Sequence, residues 1–265
     1  EPSVTATENT ILLAVLAQGT TNIYNAACEP HISGLCNLLC KMGAKIEGIG
    51  SNSLKITGVS SLGGAKHSIS PDFMEIGSLL CLGAIACEEL TIKNVNPDDL
   101  KFILHSLKRI GICPEITDNS LYIKGCNLNM KQDIGTQIGK IYSGPWPAFP
   151  TDLMSVAIIA ATQAKGTMLF HEKMFEGRLF FTDNLMAMGA NMVLCDPHRL
   201  VVTGPSALKA TQMSSPDVRA GMALLMAALI AQGTSKIYNI YQIDRGYYKI
   251  EEKLQKLGAK IKRVN

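Results

Sequence analysis

Hydrophobic and polar positions along this chain fall into two helical patterns and one β-prone pattern, and the sequence of patterns repeats. Four stretches run as a helix-period segment, a glycine and a short β-prone run, at residues 31–46, 98–116, 177–193 and 246–261. Their glycines, Gly43, Gly111, Gly189 and Gly258, stand 68, 78 and 69 residues apart. Glycine just past a helix is the residue expected in the left-handed C-terminal position. A second series precedes the first, at residues 11–25, 78–94, 155–172 and 223–240, each member predicting a helix, a turn and a strand. From Gly19, Gly166 and Gly233 to the next glycine of the first series is 24, 23 and 25 residues. The second copy has Glu88 in the matching place, so its turn is expected to use another conformation. Two series at a constant offset mark an internal repeat.

The two helices of each copy differ. The first is apolar nearly all round, as in Leu153–Ala161, and such a helix is expected to be buried on every side. The second is amphipathic: within 246–257, Ile250, Leu254 and Leu257 form one stripe, with Glu251, Glu252, Lys253 and Lys256 elsewhere. β-Prone runs follow at Leu54–Thr57, Leu121–Lys124 and Leu200–Thr203, closing at Gly58, Gly125 and Gly204. Each copy therefore predicts helix–strand–helix–strand–strand, an α/β class. Apolar helices need covering by neighbouring copies, which must cluster around a shared core. The break at Ser70-Pro71-Asp72 predicts a boundary, with one copy in residues 1–70 and three in residues 71–265. A single copy cannot cover its own apolar helix, so residues 1–70 are expected to need partners outside this chain.

Composition narrows the function. With 47% hydrophobic and 18% charged residues, the chain can bury a core and is not disordered. A net charge of +3, with both signs interspersed, gives little of the basic bias that nucleic-acid binding draws on. The longest apolar runs, Ser155–Ala161 and Ala223–Ala231, fall short of the roughly 20 residues needed to span a bilayer. The chain opens at Glu1 rather than Met and carries no secretory leader pattern, so it is expected to be part of a longer or processed protein. The eight cysteines, at 28, 36, 40, 81, 87, 113, 126 and 195, include no Cys-x-x-Cys pair and lie mostly in apolar stretches. Reduced, buried thiols of a cytoplasmic protein are the expected reading. No histidine pair has metal-ligand spacing, so neither a metal nor a cofactor is expected.

Candidate chemistry gathers at helix starts. Asp152, directly after Thr151, opens the apolar helix of the third copy, and Asp217 opens that of the fourth. Aspartate in that position ordinarily caps the helix. Helix N-termini also attract anions, and repeated helices can bring their starts to one cleft. Asp72 with Glu75 reads as an Asp-x-x-Glu cap. Arg178 and Arg245 stand near the starts of amphipathic segments and Arg219 near the start of a buried one. A lone arginine is usually a surface ion pair, and Asp244 beside Arg245 suits that reading. Against it, the three recur in equivalent places, and the guanidinium fork matches carboxylate and phosphate.

Specific strings point further. Pro-Ser-Val-Thr-Ala-Thr-Glu-Asn at 2–9, Asn-Ala-Ala-Cys-Glu-Pro at 25–30 and Pro-Asp-Phe-Met-Glu at 71–75 resemble enolpyruvyl transferase signatures. So do Phe-Pro-Thr-Asp at 149–152, Phe-Glu-Gly-Arg at 175–178, Pro-Asp-Val-Arg-Ala at 216–220 and Asp-Arg-Gly-Tyr at 244–247. Together they are similar to the bacterial UDP-N-acetylglucosamine branch of that family, rather than the shikimate-phosphate branch. The resemblance implies an inside-out α/β barrel, built from βαβαββ units with helices inside and sheets outside. Residues 1–70 would be the last unit of a first domain and 71–265 the second domain, with substrates in the cleft between domains. It also implies that roughly the first 160 residues of a family member are absent, including a loop with a reactive Cys or Asp. The chain by itself is then expected to be inactive; micromolar sugar-nucleotide binding by calorimetry would contradict that.

The implied reaction moves the enolpyruvyl group of phosphoenolpyruvate to the 3-hydroxyl of UDP-N-acetylglucosamine, opening peptidoglycan synthesis in the cytoplasm. By resemblance, Asp152 contacts the sugar 3-hydroxyl and Asp217 handles protons around the tetrahedral intermediate. Arg178, Arg219 and Arg245 hold phosphoenolpyruvate. Ser3, Val4 and Thr5 match the backbone segment that holds the uridine diphosphate, although many relatives have Gly where Thr5 stands. Thr151 joins the substrate contacts, and Met174 matches an apolar residue lining the uridine-sugar site. Glu176 matches a cleft residue, Asp72 is expected in capping and hinge contacts, and Glu29 as a buried structural acid. Trp146, in the Pro-rich run 144–150, is expected to pack the loop before Asp152. Two other readings are a repeat scaffold that kept the fold and lost catalysis, and an RNA-terminal cyclase-like protein built on a related unit. Retention of both acids and all three arginines speaks against the first; near-neutral charge and the lack of a nucleotide-binding histidine motif speak against the second.

Overall fold

The computed structural model describes residues 2–125 and 127–264 and divides into two compact units. The first comprises residues 1–71 with 145–148; the second comprises 72–144 and 149–265. Cys126 lies outside the described residues.

In the first unit, α1 (Val4–Ala14), β1 (Thr20–Tyr24), α2 (Pro30–Lys41), β2 (Lys45–Glu47) and β3 (Ser53–Thr57) follow in order. The strands form an antiparallel sheet in the order β1-β3-β2, and Ile11, Val15, Ile32, Cys36, Leu39, Leu54 and Ile56 make the core. The apolar helix is not buried all round, in keeping with the expectation that a single copy cannot cover it. Leu12, Leu13 and Leu16 are 49%, 76% and 55% exposed, because α2 and the sheet cover only one side of α1.

The second unit begins with α3 (Phe73–Ala86), β4 (Glu89–Lys93), α4 (Pro97–Leu107), β5 (Glu115–Thr117) and β6 (Ser120–Lys124). Next come β7 (Gly139–Tyr142), a 3₁₀ turn at Thr151–Leu153, α5 (Met154–Thr162), β8 (Gly166–His171), α6 (Thr182–Ala187), β9 (Asn191–Asp196) and β10 (Arg199–Gly204). The last copy holds β11 (Gln212–Ser214), α7 (Val218–Ile230), β12 (Lys236–Tyr238), α8 (Tyr241–Asp244) and α9 (Ile250–Lys256). Its sheets run β4-β6-β5, β7-β8-β10-β9 and β11-β12.

Helices α3, α5 and α7 pack on one another at the centre of this unit. Every residue of α5 is buried, the outcome its unbroken apolar sequence dictates. Each fully buried aliphatic side chain there contributes on the order of 1.5–3 kcal/mol. The sheets lie outside: β4 on α3, β8 and β10 on α5, and β12 on α7. Strand β4 accordingly alternates, exposing Glu89, Thr91 and Lys93 and partly covering Leu90 and Ile92. The repeat glycines take the expected left-handed conformation, with φ of 107°, 102°, 103° and 94° at Gly43, Gly111, Gly189 and Gly258. Glu88 has no positive φ, and the second copy turns through Cys87–Glu88 without a left-handed residue.

Several elements differ from expectation. Strands β7 and β11 pair in parallel with β8 and β12, adding a leading strand to the third and fourth copies. Helix α6 starts at Thr182 rather than 177, and α9 at Ile250 rather than 246, after Lys249 at φ 49°. The terminal Gly-Ala-Lys-Ile run forms no strand. In earlier copies this run pairs with a following antiparallel strand, β3, β6 or β10, and no such partner exists among the described residues of the fourth. The seven described cysteines are free; burial pushes the Cys36 thiol up to about 11 and that of Cys81 to about 12, but Cys113 and Cys195 are exposed rather than buried. Cys195 lies in β9, where alternate residues face outward, and Cys113 lies in the loop before β5. Among the described residues no helix is long and apolar enough to cross a membrane, and no cluster of three or more His, Cys, Asp or Glu could hold a metal.

Candidate active site

Three apolar helices begin after an aspartate, and the three aspartates behave differently. Asp72 caps α3, accepting hydrogen bonds from the backbone N–H of Met74 at 2.8 Å and Glu75 at 3.3 Å. Glu75 does not reach back to complete a capping box; its carboxylate pairs with Lys253 of α9. Asp217 caps α7, its Oδ1 accepting from the N–H of Arg219 at 2.7 Å and Ala220 at 2.9 Å. Its Oδ2 carries no hydrogen bond among the described residues.

Asp152 is no cap. It sits inside the 3₁₀ turn one residue ahead of Leu153, which occupies the capping position of α5 without a side-chain bond. The turn carries the carboxylate off the helix axis and onto two guanidinium groups. Arg178 Nη2 donates to Oδ1 at 3.1 Å, and Arg219 Nε donates to Oδ2 at 2.9 Å. Both arginines are largely buried, with side chains 18% and 19% exposed. Each guanidinium carries five N–H donors and spends one nitrogen on Asp152.

Arg219 is held from several sides. Its carbonyl accepts from Ser155 Oγ of α5 at 2.9 Å, tying the start of α7 to the start of α5. Its guanidinium lies over the Tyr247 ring at 5.6 Å, while Nη1 is buried without a satisfied hydrogen bond. Burial alone would depress the Arg219 pKa; the Asp152 carboxylate and Tyr247 outweigh that and leave it raised. Burial pushes the Tyr247 hydroxyl up, with Arg219 pulling it the other way. Tyr247 is 0% exposed and shares a 2.8 Å hydrogen bond with Ser78 of α3.

Arg245, at the C-terminal end of α8, is exposed and donates to Gln242 at 2.9 Å. The neighbouring Asp244 does not pair with it. Arg263 takes Asp244 with two nitrogens, at 2.9 and 2.7 Å, and also holds Glu251, which leaves Arg245 without a carboxylate among the described residues. Gly246 makes room here: a Cβ would lie 2.5 Å from Val218 Cγ1 and 3.4 Å from Arg219 Nη1.

These residues line one cavity of about 280 Å³, formed by Asp152, Arg178, Asp217, Val218, Arg219, Arg245 and Gly246. Three arginines less two aspartates, 3 − 2, leave it a formal charge of +1. The volume is just below the roughly 300–1,000 Å³ typical of ligand sites, room for a small anion rather than a sugar nucleotide. The arrangement can bind a small phosphate- or carboxylate-bearing molecule and offer it a carboxylate base.

The other sequence candidates fall elsewhere. Ser3 caps α1, accepting from the Ala6 N–H at 3.3 Å, and Val4 and Thr5 are the first helical residues, all in the first unit. Glu29, expected to be buried, is half-buried in that unit at the start of α2, with Oε2 unpartnered. The Pro at the first position of α2 shapes that entry, and the Glu29 side chain makes no capping bond. Trp146 belongs to the first unit, where its carbonyl accepts from Cys28 Sγ at 3.5 Å. Phe149 (3% exposed), not Trp146, is the buried aromatic of the loop before Asp152. Met174 is half-buried and Glu176 exposed, 4.0 Å from His198. Thr151 donates through its hydroxyl to Glu172 at 2.7 Å.

Glu172, Tyr247 and Gly246 escaped the sequence reading. Tyr247 and Gly246 lay in the Asp-Arg-Gly-Tyr string, where the charged pair drew the attention. Glu172 follows the end of a strand, where an acid ordinarily faces solvent; nothing local marks it as buried.

The architecture is that of the enolpyruvyl transferases. A solved structure of the enolpyruvyl transferase NikO from Streptomyces tendae superposes with a TM-score of 0.87 at 24% identity, covering 98% of this chain and 60% of that one. EPSP synthase from Acinetobacter baumannii superposes with a TM-score of 0.68 at 18% identity over 96% of this chain. The family model for EPSP synthase (3-phosphoshikimate 1-carboxyvinyltransferase) matches residues 1–254, and the chain belongs to that family. It is also similar to proteins named UDP-N-acetylglucosamine 1-carboxyvinyltransferase: 56% identical over 265 residues in Borreliella burgdorferi, 51% over 265 in Bradyrhizobium diazoefficiens and 50% over 262 in Treponema pallidum. The chain spans 62% of the length of each of these relatives.

Proposed function

We propose that this chain is the greater part of an enzyme that transfers the enolpyruvyl group of phosphoenolpyruvate to the 3-hydroxyl of UDP-N-acetylglucosamine. That reaction is the first committed step of peptidoglycan synthesis, and the enzyme works in the cytoplasm. The observation that carries the reading is the Asp152 carboxylate held between Arg178 and Arg219 in a small cationic cavity that Arg245 and Asp217 also line. The names of relatives about half identical over the whole chain favour the sugar nucleotide as acceptor.

The three arginines hold the phosphate and carboxylate of phosphoenolpyruvate. Asp152 accepts the proton of the sugar hydroxyl as its oxygen bonds to C2 of the enol, and a general acid protonates C3. The tetrahedral ketal then expels phosphate while a proton leaves the new methyl group, a transfer assigned to Asp217 through its free Oδ2. A positioned base supplies about 10²–10⁴-fold. Thr151 and Met174 contact the sugar nucleotide, and the remainder of the relatives' length completes its site. The test is phosphate release from phosphoenolpyruvate by the complete protein. Release is expected with UDP-N-acetylglucosamine and not with shikimate 3-phosphate; equal turnover on both would overturn the acceptor assignment. Arg245→Ala should raise the phosphoenolpyruvate KM at least about tenfold, and unchanged kinetics would remove Arg245 from the site.

A further inference from the structure

We propose that Glu172 is a positioning residue of this site, a buried carboxylate that fixes Asp152 and Arg178 relative to each other by binding the two chain segments that carry them. Glu172 follows β8 and is 0% exposed. Its Oε2 accepts from Thr151 Oγ1 at 2.7 Å, one residue before Asp152. Its Oε1 accepts from Ser143 Oγ at 2.8 Å, where the Pro-rich loop leading to Asp152 begins. The same oxygen accepts from the backbone N–H of Met174 at 2.7 Å and Phe175 at 3.3 Å, in the segment that leads to Arg178. Ser143 Oγ meanwhile accepts from the Lys173 N–H at 2.8 Å, so its own proton must point at Glu172. Every hydrogen-bond partner of the carboxylate among the described residues is therefore a donor, the set that an acceptor-only group satisfies.

The main-chain side closes the same joint. The Ser143 N–H donates to the His171 carbonyl at 3.0 Å, and His198 Nδ1 lies 2.8 Å from the Glu172 carbonyl. No side-chain cation neutralises Glu172 among the described residues; only hydrogen bonds do. A buried charge solvated in this way is costly to disturb and holds its partners in place. The Asp152–Arg178 bond at 3.1 Å spans the two segments that Glu172 joins. The carboxylate touches none of the cavity-lining groups, so its effect passes through the two segments.

The kinetic part of the test rests on the enolpyruvyl transfer reading; the exchange part does not. In the complete protein, Glu172→Ala should speed amide hydrogen exchange at least about tenfold in both 143–151 and 173–178, with the centre of α5 unchanged. Glu172→Gln, which keeps an acceptor at Oε1 and can donate to the Thr151 hydroxyl, should recover most of that protection. Ser143→Ala provides a milder variant should Glu172→Ala not fold, and loosens the same two segments. Turnover per folded molecule should fall at least about tenfold in Glu172→Ala with a raised phosphoenolpyruvate KM. Thr162→Val, which deletes a buried hydroxyl at the far end of α5, supplies the stability control. Faster exchange in one segment only, or in neither, overturns the proposal. So does a turnover loss in Thr162→Val matching that of Glu172→Ala at equal loss of thermal stability. A wild-type protein that releases no phosphate would sink the functional reading and leave the exchange result to decide the role of Glu172.

Discussion

Asp152 and Asp72 occupy the same place in the repeat, just ahead of an apolar central helix, yet one faces a pair of arginines and the other its own backbone. Asp72 spends its carboxylate on the N–H groups of Met74 and Glu75. Asp152 is carried by a 3₁₀ turn one step outside its helix and bonds Arg178 and Arg219 instead. Asp217 stands between these extremes, capping α7 with one oxygen and lining the cavity. The difference teaches that the repeat supplies three equivalent helix starts, and that a single turn of tighter backbone converts one from a backbone cap into a partner of two arginines. The identity of the residue does not distinguish them; the turn before the helix does.

That contrast can be broken by exchanging its members. Asp72→Ala and Asp217→Ala should each cost about 1 kcal/mol of stability, the ordinary value of a lost cap. On the proposed function, Asp217→Ala should also lower turnover by about a hundredfold and exceed any loss in Asp72→Ala at least tenfold. Thermal melts paired with phosphate-release rates in the complete protein check both, and equal activity losses would erase the distinction.

Gly246→Ala comes next in size. The added methyl group meets the Val218 side chain at 2.5 Å, where α7 begins, and must displace that side chain, the helix start or the turn that carries Arg245. Overpacking of this kind costs about 1–3 kcal/mol. A denaturation midpoint unchanged from wild type would show that the start of α7 is looser than its caps and its tie to Ser155 imply.

The smallest effect concerns the strap that frees Arg245. Hydrogen bonds from Arg263 hold the carboxyls of Asp244 and Glu251 below their usual range. A depressed carboxyl contributes stability that is present above its unfolded pKa, near 3.9 for Asp and 4.3 for Glu, and is lost as pH falls through the folded value. Acidification below about pH 4 should therefore loosen the strap in wild type. Arg263→Ala should flatten that acid limb while costing no more than about 1 kcal/mol at neutral pH, because the groups are partly exposed. Parallel acid limbs in the two proteins would contradict the pairing.

Much of this was legible in the sequence. The glycine series gave the copy number, and the apolar runs at 153–161 and 223–231 gave the central helices, because the buried stretches of α5 and α7 leave no polar face to conceal. The arginines were legible as candidates because they recur at matching places. What escaped depends on contacts far apart in the chain. The parallel strands β7 and β11 exist through pairing with β8 and β12, and three or four residues carry little periodicity of their own. Glu172 looked like any polar residue after a strand until two hydroxyls more than 20 residues away joined two neighbouring N–H groups on its carboxylate.

The central claim, that Asp152 acts on the acceptor while its two arginines serve the anion, is tested most directly by comparing phosphoenolpyruvate binding with turnover in Asp152→Asn. Neutralising a carboxylate that competes for Arg178 and Arg219 should leave calorimetric affinity for phosphoenolpyruvate unchanged or tighter, while phosphate release falls by at least about a hundredfold. Weakened binding with turnover per bound substrate preserved would contradict the assignment and return Asp152 to a purely structural role.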